Sequence, residues 1–539
     1  MTHAVPSRAV EATPFWSGDG GHAGALRDLF LPLDDLLVRG GDPRVMLDRL
    51  SRLNEYGCGP SPAPDVIGFA SSTASPISER AYERASRARE ELMAGAITLG
   101  FEEAFDTRFE DMREALRAHL QLSAAEADVV FSPSGTDSQL HALFLARALL
   151  GGEVTTIVVG SDQTGSGTAH TARGHHFSVR TASGRAVQKD AAIAGLSGGS
   201  IALPLCGETP DIRPRADIDA AVLGAVETAI ANGAAVLLQI MDSSKLGWRV
   251  PSDACLGEIA RKFPGRVQIV IDACQMRLGR GRMRAHLDRG HMVLITGSKY
   301  FGGPAFSGAL LIPSRLSRWL DGHDAVAPGL LDYASRSDWP KSWSGLRSRF
   351  ASRQNLGQWL RWEAALEEIR TYYEVPDAFR AKAVRELSAG LHSLVMLSPR
   401  LRPVAPVMMS SDAADEEFAH ATIIPFTIHG DCGPVSSSDG RRLYRVLTQD
   451  LSRAIGGSTA DRKIAACRCL IGQPVLLEGR GEDPVAVLRL CVGARHVTES
   501  WSADAAIAEK NLLHQLDRAA SVVAKIELLL EIMRCADGS

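Results

Sequence analysis

The chain has 539 residues, of which 45% are hydrophobic and 23% charged, and a formal net charge of -4. Such a composition suits a globular protein with a large core and roughly two to four domains. The slight acidity gives no electrostatic reason to expect nucleic acid or an anionic membrane as the main partner, and the longest apolar runs, AAVLLQIM at 234–241 and RVQIVI at 266–271, are too short to cross a bilayer.

The opening residues MTHAVPSRAVEATPFW hold no basic segment followed by a long apolar stretch, so no secretory signal is expected and a cytoplasmic location is inferred. Residues 1–65 carry helix signals, LRDLFLPLDDLLVRG and PRVMLDRLSRLNEYG, and close on the Pro- and Gly-rich loop GCGPSPAPD. They read as an N-terminal helical extension. Residues 66–375 read as a large α/β domain. It opens with a helical stretch at 78–120, after which short apolar strands (DVVFS, TTIVVG, AVLLQIM, RVQIVID, MVLITG and GALLIP) alternate with helical segments, as in βαβ units around a mostly parallel sheet. A long helix is predicted at 355–375, as a connection to a second domain, with Trp359 and Trp362 packing it. Residues 376–539 read as a smaller C-terminal α/β domain, with TIIPFTIHG, QPVLLEG and AVLRLCVGA as strands and a helix at 502–534.

Nine cysteines are scattered along the chain without facing CxxC pairs, so buried thiols are expected in place of a zinc knuckle. His170, His175 and His176 lack a carboxylate or thiol at metal-ligand spacing and read as a polar loop, so no metal site is expected.

Three strand ends carry chemistry. In VVFSPSGTDSQLHALFLARAL, a strand runs through a Ser-Gly-Thr turn into a helix, which aims backbone N–H groups and the positive end of the helix dipole at an anion; Thr136 or Ser134 could equally serve as an N-cap. In IVIDACQ, Asp272 ends an apolar strand, where a carboxylate needs a cationic partner or a role as a helix N-cap. In ITGSKYFGGPAFSGALLIP, Lys299 follows a buried strand, at the edge of the sheet where α/β proteins bind ligands. A lysine there suits imine chemistry, and the hydroxyls of Thr296 and Ser298 suit a neighbouring phosphate.

Together and in this order, FSPSGTDSQ, IDACQ and TGSKYFGGPAFSGALL resemble the cofactor motifs of fold type I pyridoxal-phosphate (PLP) enzymes, nearest to the class V aminotransferase and cysteine desulfurase group. The resemblance implies a large domain with a seven-stranded-type, mostly parallel sheet and a smaller C-terminal α/β domain. It also implies that Lys299 carries PLP as a Schiff base and shuttles the α-proton, that Asp272 pairs with the pyridine nitrogen and that Gln275 bonds the ring's phenolic oxygen. Gly135, Thr136, Thr296 and Ser298 would bind the phosphate, Ser298 standing where the group has histidine. Gln163 occupies the place of the residue over the ring, with His170 as an alternative. IMDSSKLGWRVP resembles the group's Asn-Asn-Glu-(apolar)-Gly stretch, with Ser244 at the phenolic-oxygen asparagine. Arg489, in AVLRLCVGARHV, would grip the substrate α-carboxylate, and Arg353 or Asn355 would reach the phosphate of a neighbouring subunit in a homodimer.

The implied reaction acts on an amino acid through an external aldimine and a quinonoid, as an aminotransferase or a desulfurase-like lyase. Cys432, Cys467 and Cys469 are the candidate thiols for desulfuration. The alternative is a noncatalytic binding or regulatory protein on the same scaffold, which would have no chemical need for Lys299.

Overall fold

A computed structural model describes residues 23–207, 212–323, 325–404, 416–430, 433–477 and 484–537. Its first strand, β1 (Val66–Phe69), follows two short helices, Ala23–Asp28 and Leu33–Leu37. The helical stretch at 78–120 is two helices, Glu79–Leu99 and Phe101–His119. They part at Gly100, whose φ of +80° is open to glycine at little cost.

Seven strands follow: β2 (Ala127–Ser132), β3 (Val154–Val159), β4 (Gly199–Leu203), β5 (Ala235–Met241), β6 (Val267–Asp272), β7 (Met292–Thr296) and β8 (Gly308–Pro313). They form one sheet in the order β2-β8-β7-β6-β5-β3-β4. β8 lies antiparallel to both its neighbours, and the remaining pairs are parallel. β5, β7 and β8 are buried along their whole length, as expected for a sheet covered on both faces. β4 was not predicted: its GSIAL sequence is half exposed at the sheet edge and lacks the apolar run of the inner strands.

The second sheet comprises β1, β9 (Leu401–Pro403), β10 (Ile423–Gly430), β11 (Gly433–Pro434), β12 (Arg468–Leu477) and β13 (Val485–Cys491). Its order is β1-β12-β13-β10-β11, with β9 also on β10. Thus β1, at the start of the stretch assigned to the large domain, completes the C-terminal sheet by pairing in parallel with β12. The helices Asp377–Leu397 and Ala505–Asp537 pack on each other beside this sheet.

The predicted long helix spans Leu356–Glu374. Trp359 and Trp362 are fully buried in it, and Trp362 Nε1 donates to the Gly308 carbonyl at 3.0 Å, which ties the helix to the start of β8. Arg361, on the same helix and fully buried, donates to the carbonyls of Leu37, Arg39, Gly40 and Phe306. Four neutral acceptors thereby clamp the N-terminal segment onto the large sheet.

On the helix Gly135–Leu150, His141 is fully buried against Trp339, its ring 5.3 Å away, and neither ring nitrogen meets a partner among the described residues. Burial pushes its pKa down to about 3. A depressed value means stability that is complete above the unfolded pKa of about 6.5 and lost as the pH falls towards 3, at about 1.4 kcal/mol per unit. His141→Phe is therefore expected to be less sensitive to acid, retaining about 2 kcal/mol more of its pH 7 stability at pH 5 than the wild type does, as read from urea midpoints.

Candidate active site

β2, β6 and β7 end on the same edge of the large sheet, and the segments leaving them meet around one cavity of about 290 Å³. From the end of β2 come Gly135 and Thr136, from β6 Asp272 and Cys274, and from β7 Thr296, Ser298 and Lys299. Arg489 reaches the same cavity from β13 in the other sheet.

The turn between β2 and its helix is built by close packing. Ser134 caps the helix Gly135–Leu150, its hydroxyl accepting the Asp137 N–H at 3.2 Å. A Cβ on Gly135 would lie 2.8 Å from Cys274 Sγ and 3.3 Å from Thr296, so only glycine lets this helix start approach the ends of β6 and β7. Among the described residues the N–H groups of Gly135 and Thr136 donate to no backbone acceptor, as is usual in the first turn of a helix. Dipole and free donors make this the natural seat of a phosphate.

Asp272 is 7% exposed. Its Oδ1 accepts the Cys274 N–H at 3.1 Å, and its Oδ2 lies 3.4 Å from Gln139 Nε2. Among the described residues no cation pairs with it. Gln139 in turn donates to Thr168 Oγ1 at 3.2 Å and accepts from Thr171 Oγ1 at 2.6 Å, so it links the first motif to the second. A buried carboxylate held by neutral donors at the wall of a cavity suits a cationic ring N–H.

The Lys299 loop is shaped by two glycines. Gly297 and Gly303 lie so close to Ala365 that a Cβ on either would come within 2.5 or 2.7 Å of it. The loop folds on itself through Gly303 N to Gly297 O and Gly302 N to Lys299 O, both at 3.0 Å. Thr296 donates to the Cys274 carbonyl at 2.8 Å, which fastens β7 to the Asp272 turn.

Other expected residues are placed differently. Gln163 is fully buried but is not part of the cavity wall, and its amide meets no partner among the described residues; Gly165, Ser166 and Thr168 line the cavity instead. Gln275 also stands behind the wall, where it donates to the Ser72 carbonyl at 3.1 Å and accepts from Arg277 at 2.9 Å. The Ser244 hydroxyl is occupied by the N–H groups of Leu246 and Trp248. His170 and His175 both turn to Asp190. Arg353 donates to the carbonyls of Leu331 and Ala334, while Asn355 caps the helix Leu356–Glu374 and donates to the Gly40 carbonyl. Both therefore have partners within their own chain.

Cys469 lies buried in β12, its pKa pushed up to about 12 by burial, and Cys467 donates to the Lys463 carbonyl; neither lines the cavity. Cys432 lies outside the described residues. Cys274 does line the cavity, but burial and the neighbouring Asp272 push its thiol pKa well up.

Two cationic residues of the cavity escaped the sequence reading. Arg44, from the N-terminal extension, pairs with Asp42, stands 3.5 Å from the Thr136 hydroxyl and lies over the Phe306 ring. Lys245, in the turn after β5, lines the cavity beside Arg489. The signal for Lys245 was a cation in IMDSSKLGW, directly after the apolar run of β5; for Arg44 no local signal exists, because the Thr136 it approaches is 92 residues away.

No family model and no curated protein matches the chain. Among solved structures it is similar to the ureidoglycine-glyoxylate aminotransferase of Bacillus subtilis, with a TM-score of 0.51 at 12% identity over 86% of this chain and 94% of that one. A NifS-like protein from Rickettsia africae aligns with a TM-score of 0.48 at 12% identity, over 84% of this chain and 99% of that one. Oryza sativa TDC, with PLP and tryptamine, aligns with a TM-score of 0.48 at 16% identity, over 84% of each chain. The fold is thus shared with the Bacillus subtilis aminotransferase, and its seven-stranded, mostly parallel sheet is the one the three motifs led us to expect.

Proposed function

We propose that the chain is a PLP-dependent enzyme acting on an amino acid, of the class V aminotransferase type or a desulfurase-like lyase, and that it works as a homodimer. The observation that carries this reading is the convergence of Lys299, Asp272 and the Gly135–Thr136 turn, from three separated strand ends, on one cavity. The donor set fits the cofactor: free helix N–H groups and the Thr136, Thr296 and Ser298 hydroxyls for its phosphate, Asp272 for its ring nitrogen and Lys299 for its aldehyde. Bound there, PLP would supply an electron sink for charge developing at the substrate Cα.

The chain's own groups would do the rest. Asp272, shielded from water, would hold a proton on the ring nitrogen, since in a poorly solvated site an unpaired carboxylate is costly. Lys299, once released from the cofactor, is the amine at the cavity wall that would take and return the proton at Cα. Arg489, held by the carbonyls of Lys245 and Gln473 and by Thr73 Oγ1, would orient the α-carboxylate with its planar fork.

Among the described residues no cavity thiol is poised to ionise, which favours transfer or elimination over desulfuration. Incubation of the PLP-loaded protein with a panel of amino acids, followed by assay of oxo acids and sulfide, tests the assignment. Oxo-acid formation that needs an acceptor oxo acid is the expected result. Sulfide release from cysteine that is lost in Cys432→Ala would instead assign a desulfurase, and absence of any product would favour the noncatalytic reading.

A further inference from the structure

Lys245 and Arg489 come from different sheets, the first from the turn after β5 and the second from the middle of β13, yet they meet at one wall of the cavity. The Arg489 Nη1 donates to the backbone carbonyl of Lys245 at 3.0 Å, so the guanidinium is fixed to the lysine's own turn. Room for it is made by Gly472 on β12, where a Cβ would lie 2.9 Å from Arg489 Nε.

Arg489 is 2% exposed, all its hydrogen-bond partners are neutral, and its Nε meets none among the described residues. The Lys245 amine has no ion pair or hydrogen bond among the described residues. The carboxylates of the cavity wall, Asp272 and Glu55, pair with neither cation. Burial, with Arg489 and Lys299 nearby, pushes the Lys245 pKa down to about 8. Two positive charges brought together out of water without a counter-ion raise each other's free energy, and an anion placed between them relieves it. The α-carboxylate of an amino acid supplies one negative charge. The second cation is then left over, at a position where the resembled Asn-Asn-Glu stretch carries an acid and this chain reads Ser243-Ser244-Lys245.

We propose that the cavity selects an amino acid whose side chain carries a second negative charge, with Arg489 taking the α-carboxylate and Lys245 the distal anion. This rests on the amino-acid reading above. Lys245 is thus a specificity residue. Ser72, Thr73 and Gln473 line the same wall and supply neutral donors beside the two cations.

Unreactive probes separate this recognition from chemistry. Calorimetric titration of the PLP-loaded protein with glutarate, succinate and butyrate is expected to show at least one dicarboxylate binding about tenfold or more tighter than butyrate. Lys245→Gln should bring the dicarboxylates to within about threefold of butyrate while leaving butyrate affinity in place. The visible absorbance of bound cofactor reports that each protein is folded and loaded. Equal affinities in the wild type, or a dicarboxylate preference that survives in Lys245→Gln, would overturn the proposal. Failure of the wild type to take up PLP would overturn the cofactor reading, and this one with it.

Discussion

Lys299→Ala protein is expected to purify without the yellow absorbance of the wild type and to turn over amino acids at least about a thousandfold more slowly. The effect is large because one amine has two tasks: it would anchor the cofactor covalently and move the proton at Cα. Neighbouring geometry gives no substitute for it. Lys245 is the other lysine at the cavity wall, but its turn leaves β5, not β7, and is tied to Arg489 through the Lys245 backbone carbonyl. Borohydride treatment of the wild type should fix the cofactor to a single peptide containing residue 299, and fixation at any other lysine would remove the central residue of the site. Since Lys299 is half-buried and takes part in no ion pair among the described residues, its loss should leave the fold intact, which a thermal melt of the cofactor-free variant checks.

Asp272→Asn should retain cofactor uptake and lose about a hundred- to a thousandfold in rate. Asparagine keeps the shape of the side chain and can still accept the Cys274 N–H, but it cannot hold a positive charge on a ring nitrogen. The cofactor-free protein gives a second readout that a purely structural role would not predict. In that state the carboxylate is buried and faces only neutral donors, so removing its charge should leave stability unchanged or raise it by about 1 kcal/mol. A variant with near wild-type rate, or one that unfolds because the Asp272 turn is lost, would reduce this residue to a cap after β6.

The two substituted positions were both legible in the sequence. Lys299 and Asp272 each follow an apolar run that ends abruptly at a polar residue, and such a break in a buried strand is visible in one dimension. The same holds for the Ser134-Gly135-Thr136 turn, where a strand signal gives way to a helix signal across three small residues. Gln139 lay within a recognised motif, but its link to Asp272 spans 133 residues and has no periodic signature. Gln163 shows the opposite failure. Spacing along the chain put it over the ring, whereas the backbone between β3 and the helix Thr168–Thr171 folds so that Gly165, Ser166 and Thr168 meet the cavity and the glutamine turns inward.

Much of the local order along this chain followed from its sequence: the inner strands of the large sheet, most helix starts, and which polar residues stand at strand ends. These depend on side-chain periodicity and on capping within a few residues, interactions that act over neighbouring turns. What only the tertiary structure decided is which distant segments share space. β1 left the segment that follows it to complete the C-terminal sheet, Arg44 was brought to the Ser134–Thr136 turn, and Lys245 was set beside Arg489. Each of these contacts joins groups from separate elements through packing and buried hydrogen bonds, whose free energy depends on the whole core, so no window of the sequence contains it.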